Sequence, residues 1–347
     1  MQGIWVGSPD GRFPMRRVLD VKTVKQCKVL QDLGVFLVLA DKSLLAYRLD
    51  ILVQLSSPTA AAQSQPHPQK VSLREVQCFT SGILEGRTVV VYLTKKGIDS
   101  IVHVVEPAVD KINERSNVVT PKTATGLSRI LGVGRTKPSQ WFQSYKTFCV
   151  PFAALDVQFL ELRGKLAIQL ERHFYILDLI PSSRAVLIPQ LTEDLGTAWS
   201  RRCASARPIA VFWYAEEYLI CFDEFGLFLD QDGCPSQSRE RNIIEWEGAA
   251  KRAVLRPPYI ILFDSTFVEV RDLETGGLVQ VLTGAGVECI WAECDLPGRA
   301  SETCLHVAIN AERSMFEDVR LEGSEGRVEQ RIFELVRMSS TSGTVGS

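Results

Sequence analysis

The chain has 347 residues, 46% of them hydrophobic, with 39 basic against 41 acidic side chains and nine cysteines. A formal charge of −2 provides no global field for nucleic acid. The longest unbroken apolar run, Ile209 to Ala215, falls far short of the ~20 residues that a membrane-spanning helix needs.

Sixteen Phe, seven Tyr and six Trp at a mean hydropathy near zero supply a sizeable core and exclude general disorder. The N-terminal MQGIWVGSPDGRF has no charged segment followed by an apolar stretch, so no signal peptide is read. An odd cysteine count at irregular spacing indicates reduced thiols and a cytoplasmic chain.

In chain order, Gly3 to Val6 and Arg17 to Val21 read as two strands. After them, pairs of apolar strands recur around tight polar turns. Phe36–Ala40 turns through Asp41-Lys42 into Ser43–Leu49. Val89–Leu93 turns through Lys95-Lys96-Gly97 into Ile101–Val105. Leu166–Leu170 turns through Glu171-Arg172-His173 into Phe174–Leu177. Tyr218–Phe222 leads to Gly226–Leu229, and Tyr259–Phe263 to Phe267–Val270. A sixth pair begins at Leu305–Ile309. Such β-branched and aromatic runs suit strands buried on both faces.

The pairs start at 36, 89, 166, 218, 259 and 305, in steps of 53, 77, 52, 41 and 46. Propeller blades repeat every ~40–50 residues with four strands each. The long step is explained by an insertion from Pro107 to Lys146. Ala249–Arg256 before the fifth pair and Leu278–Leu282 after it complete one blade. Six pairs plus the two N-terminal strands predict an all-β, seven-bladed β-propeller over residues 1–337. Its first blade is incomplete, or is closed by a strand from Glu329 to Val336. Flexible loops are expected at about 56–70, 107–146 and 312–327, with a disordered tail at 338–347.

Catalytic and metal patterns are sought without success. The histidines, at 67, 103, 173 and 306, form no close pair and read as structural or solvated. Cys289, Cys294, Cys304 and His306 lack paired Cys-x-x-Cys spacing, so buried thiols are preferred to a zinc site. Gly132-Val133-Gly134 is a lone GxG. Asp230-Gln231-Asp232-Gly233 opens like a calcium loop but has Asn242 at the twelfth position, and a turn is preferred. No cofactor, metal or enzymatic activity is expected. The insertion carries seven Lys/Arg, among them Lys111, Arg115, Lys122, Arg129, Arg135 and Lys137, against Asp110 and Glu114. A solvated loop is its plain reading; contact with phosphoinositides at the plasma membrane or with an acidic partner is the functional one. Thr120-Pro121 within it is a weak phosphorylation signal.

Three stretches together resemble the citron-homology (CNH) domain. They are Ile244-Glu245-Trp246-Glu247-Gly248 followed by Pro257–Phe263 and Phe267–Gln280, then Leu37–Leu49, and Tyr218–Gly233. The matches run in order from about residue 30 to 336, and look most like the C-terminal domain of fungal Rho-type guanine nucleotide exchange factors. Two departures stand out: strands expected before Gly3 are missing, and Cys234-Pro235 replaces a more polar or aromatic turn. The resemblance implies a seven-bladed, non-catalytic regulatory module. It also implies a Rho-family GTPase partner, contact with the parent chain's catalytic domains, and a role in cell-wall integrity signalling. The alternative is the CNH module of a vesicle-tethering or kinase-type protein, which would bind another small GTPase or a scaffold.

In a propeller, turns within the strand pairs and links between blades share one face. That face is expected to gather Asp41, Lys42, Lys95, Lys96, Glu171, Arg172, Asp223, Glu224 and Asp264, with Trp246 and Glu247 on a link. Mixed charge around an aromatic suits a GTPase switch surface. Solvation of turns and a core position for Trp246 are the plain alternatives.

Overall fold

The computed structural model describes residues 3–7, 14–56, 66–113, 141–160, 164–180, 185–190, 198–292, 305–310 and 330–335. The chain divides into two compact units, residues 1–170 with 175–185, and residues 171–174 with 186–347.

Antiparallel strand dominates both. A ribbon pairs β1 (Ile4–Val6) with β2 (Arg16–Leu19). The first four-stranded sheet follows: β3 (Val24–Leu30), β4 (Val35–Ala40), β5 (Ser43–Arg48) and β6 (Gln69–Lys70), with helix α1 (Leu49–Ser56) after β5. The second comprises β7 (Phe79–Leu84), β8 (Arg87–Lys96), β9 (Asp99–Pro107) and β10 (Phe142–Val150), with α2 (Val109–Asn113) after β9. The third comprises β11 (Asp156–Leu160), β12 (Lys165–Gln169), β13 (Phe174–Asp178) and β14 (Ala185–Ile188).

Helix α3 (Ala198–Ser205) precedes the fourth sheet, β15 (Pro208–Tyr214), β16 (Glu217–Phe222), β17 (Phe225–Leu229) and β18 (Ile243–Glu245). The fifth is β19 (Arg252–Arg256), β20 (Tyr259–Phe263), β21 (Phe267–Asp272) and β22 (Leu278–Thr283). The sixth has three strands, β23 (Ala285–Ala292), β24 (Leu305–Asn310) and β25 (Gln330–Leu335). Within every sheet the strands lie side by side in chain order.

The five complete apolar pairs of the sequence are the second and third strands of the first five sheets, and Leu305–Ile309, which opens the sixth pair, lies in the second strand of the last. Their unbroken hydrophobicity has a packing cause, because alternate residues of one strand serve two different cores. Leu37 and Leu39 of β4 pack with Phe79, Val90 and Tyr92 of the second sheet. Their neighbours Phe36, Val38 and Ala40 pack with Val18, Leu19 and the α1 residue Leu52. In the other unit, Ile260 and Leu262 of β20 join Leu219, Phe228 and Trp246, while Phe263 joins Val287, Cys289 and Val307. Each fully buried Leu, Val or Phe contributes about 1.5–3 kcal/mol relative to exposure. Close approach of sheets also needs a missing side chain: a Cβ on Gly82 of β7 would stand 2.2 Å from the Phe159 ring of β11.

The expectation of seven blades is corrected to six. Among the described residues, β1 and β2 pair only with each other, and two strands of three and four residues do not make a blade. The strand expected from Glu329 to Val336 does not complete that ribbon, because β25 pairs with β24 from Leu305↔Leu335 to Asn310↔Gln330.

Two expected loops contain regular structure at their ends. Ser56 closes α1 and Gln69-Lys70 form β6. The segment 107–146 begins with α2 and ends inside β10, and Phe142 pairs with Pro107. The expected loop at 312–327, the tail at 338–347, Thr120-Pro121 and Gly132-Val133-Gly134 lie outside the described residues. No described helix is long and apolar enough to cross a membrane.

Candidate functional site

The turn between the second and third strands of a sheet meets the link that leaves the sheet. In the first sheet Asp41 and Lys42 adopt φ of 46° and 61°, the tight hairpin geometry that matches strand twist. The Lys42 carbonyl accepts a hydrogen bond from Val76 N in the link toward β7, at 2.7 Å. In the fourth sheet the Asp223 carbonyl accepts from Ala250 N at 2.7 Å and the Glu224 carbonyl from Trp246 N at 3.1 Å. In the fifth, the Ser265 and Thr266 carbonyls accept from Val287 N and Gly284 N. Strand turns and outgoing links are thus held together within each unit by main-chain bonds that any sequence could make. The side chains there are what differ.

Lys42, Lys95 and Lys96 are exposed. Lys42 Nζ lies 3.0 Å from Glu75 Oε2, with both side chains mostly in solvent. Lys95 and Lys96 end β8 opposite Ser100 and Asp99, next to Gly97 at φ 65°. Glu171 and Arg172 are exposed on the turn between β12 and β13.

The acidic turns of the second unit are committed internally. Asp223 Oδ1 accepts from Arg207 N at 3.1 Å. Asp264 Oδ1 accepts from Thr266 N at 2.9 Å and Thr266 Oγ1 at 2.7 Å. Burial alone would raise the Asp264 carboxyl, but the bonds from Thr266 and Ser265 outweigh it and hold the group below its ordinary value.

Trp246 belongs to the core. It is 8% exposed, its Nε1 donates to the Phe222 carbonyl at 2.9 Å, and it offers no aromatic face for docking. Gly226 makes room for it, since a Cβ there would fall 2.7 Å from the indole. Glu247, one residue on, is exposed and reaches back: Arg271 Nη2 donates to its Oε1 at 3.0 Å, and its own N donates to Glu269 Oε2 at 3.0 Å. Glu269, 1% exposed, is ion-paired with Arg271 Nε, and Arg271 Nη1 donates to the Gly276 carbonyl at 3.0 Å. A buried carboxylate is tolerated here because its lone pairs are taken up. Gly248, Ala250, Leu262, Asp264, Phe267 and Glu269 surround a narrow gap beside this network.

Of the eleven sequence-chosen residues, the structure joins Asp223, Glu224, Trp246 and Glu247 through the link between the fourth and fifth sheets, and puts Asp264 beside it. Asp41 and Lys42, Lys95 and Lys96, and Glu171 and Arg172 stand on separate turns. Glu269 and Arg271 were missed, although the spacing in Phe267-Val-Glu-Val-Arg carries the signal: residues two apart on a strand share a face.

A second missed network holds Glu217. Its Oε1 accepts from Ser238 Oγ at 2.6 Å and also from Ser236 Oγ; its Oε2 accepts from Arg239 Nε at 2.6 Å. Arg239 lies 3.9 Å over the Phe228 ring. Burial pushes the Glu217 carboxyl up, but these donors together leave it below its ordinary value. Arg202 of α3 forms a two-pronged pair with Glu245 of β18 and covers the Phe225 ring at 4.2 Å.

The other polar candidates are structural in this setting. His103 stacks on Tyr92 at 4.8 Å and shares a 3.0 Å hydrogen bond with Thr94; burial lowers its pKa, as it does that of His173. Burial pushes the Cys203 thiol up to about 12, and the Cys78, Cys221 and Cys289 thiols are also raised, which makes them poor nucleophiles. Cys294 and Cys304 lie outside the described residues. Asp230 Oδ1 accepts from Asp232 N and Cys234 N, the hydrogen bonding of a side-chain-capped turn.

Six successive antiparallel meanders, linked turn to strand and packed face on face within each unit, define a protein of the β-propeller class. The CNH domain profile matches residues 1–292, and the chain belongs to the CNH domain family. Its fold is that of the AfRom2 CNH domain, with a TM-score of 0.65 at 20% identity over 97% of this chain and 89% of that one. Among curated proteins it is similar to Rho1 guanine nucleotide exchange factor 1 of Schizosaccharomyces pombe, 24% identical over 83% of this chain and 20% of the relative. Rho1 guanine nucleotide exchange factor 2 of the same yeast is 27% identical over 78% of this chain and 21% of its own length. RHO1 GDP-GTP exchange protein 2 of Saccharomyces cerevisiae is 22% identical over 74% and 17%. The chain therefore spans about a fifth of the curated relatives it matches.

Proposed function

We propose that this chain is the non-catalytic regulatory domain of a Rho guanine nucleotide exchange factor. In this reading it binds a Rho-family GTPase directly and supports the activation of that GTPase in cell-wall integrity signalling. The observation that carries the reading is the match to three Rho1 exchange factors along 74–83% of this chain but only 17–21% of theirs. Exchange chemistry then belongs to the remainder of such a parent chain, whose catalytic domains are further candidate contacts.

The proposed docking residues are the exposed turn side chains Asp41, Lys42, Lys95, Lys96, Glu171 and Arg172, with Glu224 and Glu247 at the edge of the internal network. The lysines are favoured, because their charges are not committed to a buried network and so are offered without breaking internal bonds. The basic stretch 107–146 is the candidate for peripheral contact with the plasma membrane, which would recruit a cytoplasmic protein there.

The test is retention of a purified Rho-family GTPase on the immobilised 347-residue chain, in GDP-bound, GTP-analogue-bound and nucleotide-free states. Retention in at least one state is expected. A double variant, Lys95→Glu with Lys96→Glu, should weaken it about tenfold without moving the melting temperature. No retention in any state overturns the reading. Retention of a different small GTPase in its place points to the tethering or kinase type of CNH module.

A further inference from the structure

Among the described residues, the turn end of the first unit exposes large apolar side chains on successive turns and links. Leu73, in the link from β6 to β7, is 93% exposed, and Ile98, in the turn between β8 and β9, is 86% exposed. Leu155 and Phe152, in the link from β10 to β11, are 58% and 40% exposed. At the matching positions of the fourth and fifth sheets, residues 223–224, 246–251 and 264–266, no large apolar side chain is exposed.

Hydrogen bonds mount these residues on one another. The hairpin that carries Ile98 is held on one strand by the first link, where Gln77 N donates to the Leu93 carbonyl at 2.9 Å. It is held on the other strand by the second link, where Ala154 N donates to Ser100 Oγ at 2.9 Å. Leu73 sits in a tight turn in which the buried Ser72 accepts from Arg74 N through its Oγ at 3.1 Å. Phe152 lies edge-on to the Tyr175 ring at 5.9 Å, and Leu155 N donates to the Gln169 carbonyl at 2.8 Å. Backbone fixed in this way leaves little ordering to be done on binding.

Charge decides between a bilayer and a protein as the occupant. Lys42, Arg74, Lys95 and Lys96 stand on these turns and links, against Asp41, Glu75 and Asp99. An anionic bilayer is drawn by a surplus of cations, and the near balance here supplies almost none. Charges of both signs around apolar centres instead suit one patterned protein surface.

Given the GTPase reading above, on which this rests, we propose that Leu73, Ile98, Phe152 and Leu155 are the apolar anchors of the docking surface. The Rho-family GTPase meets them with an apolar patch edged by carboxylates that face Lys95 and Lys96. The anchors carry most of the affinity, and the lysines set orientation and partner choice.

The test is calorimetric titration of the 347-residue chain with the purified GTPase, in the nucleotide state that is retained. Ile98→Ser and Leu73→Ser should each weaken binding about tenfold. Val53→Ser, on α1 at the opposite end of the first sheet, should leave it unchanged. These side chains stand largely in solvent, so the melting temperatures should stay at the wild-type value. The wild-type chain supplies a readout that needs no variant: apolar burial gives the binding a clearly negative heat-capacity change. Wild-type binding that ignores both substitutions, or a heat-capacity change near zero, overturns the anchors and leaves the GTPase reading standing. Sedimentation with acidic-phospholipid vesicles that is lost in Ile98→Ser, with GTPase affinity unchanged, makes this face a membrane contact and also overturns the proposal. No binding of the GTPase in any state defeats the underlying reading and the anchors together.

Discussion

The turn ends of the two units use the same main-chain scheme and dispose of their charges in opposite ways. Around the first and second sheets the turn lysines Lys42, Lys95 and Lys96 stand in solvent, and the ion pair of Lys42 with Glu75 has side chains 60% and 77% exposed. Around the fourth and fifth sheets the charges are carboxylates that bind the links. Glu269 is nearly sealed, Glu247 bridges to Arg271, and Asp264 caps its own turn. Removal of a charge in the first setting exposes nothing, whereas in the second it strands a partner away from water. A polar turn can therefore be a surface for partners or a clamp between sheets, and burial of the neighbouring group tells which.

The sharpest way to break this contrast is Arg271→Ala, which leaves Glu269 buried without its counter-ion. A loss of about 3–5 kcal/mol is expected in urea unfolding, as for other broken buried pairs. An effect within experimental error would mean that Glu269 is hydrated, and would erase the distinction between the units.

An intermediate effect is expected at Glu217, whose carboxyl is held below its ordinary value of 4.5 by Ser236, Ser238 and Arg239 against the opposing pull of burial. A depressed folded pKa gives stability that is fully present above the unfolded value and is lost as the pH falls through the folded one. The stability gap between the wild-type chain and Glu217→Gln should therefore shrink on acidification from about pH 5 to pH 3. A constant gap across that range would show that the carboxylate charge does not matter.

The smallest effect belongs to Lys42→Ala, which should change stability by no more than about 0.5 kcal/mol in the same assay. A larger loss would place the first unit's turns in the same category as the second's.

Five central strand pairs and the first strand of the sixth were legible in the sequence because sheets packed on both faces leave no polar alternation to confuse with a loop. The outer strands were not. Gln69-Lys70 and Ile243–Glu245 are held at the rim by two or three ladder pairs, too few to impose a pattern on composition. The blade count failed for the same reason, since Glu329–Val336 could be read as a strand but its partner could not be named from sequence. Among the candidate residues, exposure of the lysines followed from their place beside tight turns. The burial of Trp246 depends on the absent side chain of Gly226, twenty residues away, and on a carbonyl at Phe222. Long-range complementarity of that kind has no local signature.

The pairing of Phe142 with Pro107 brings both ends of the segment between β9 and β10 out of the second sheet side by side. The sheet is thus indifferent to how much chain hangs from that doorway. Doubling the segment's length would cost only about 0.6 kcal/mol in closure entropy. The position is accordingly a natural port for grafted cargo, such as a fluorescent tag or an epitope.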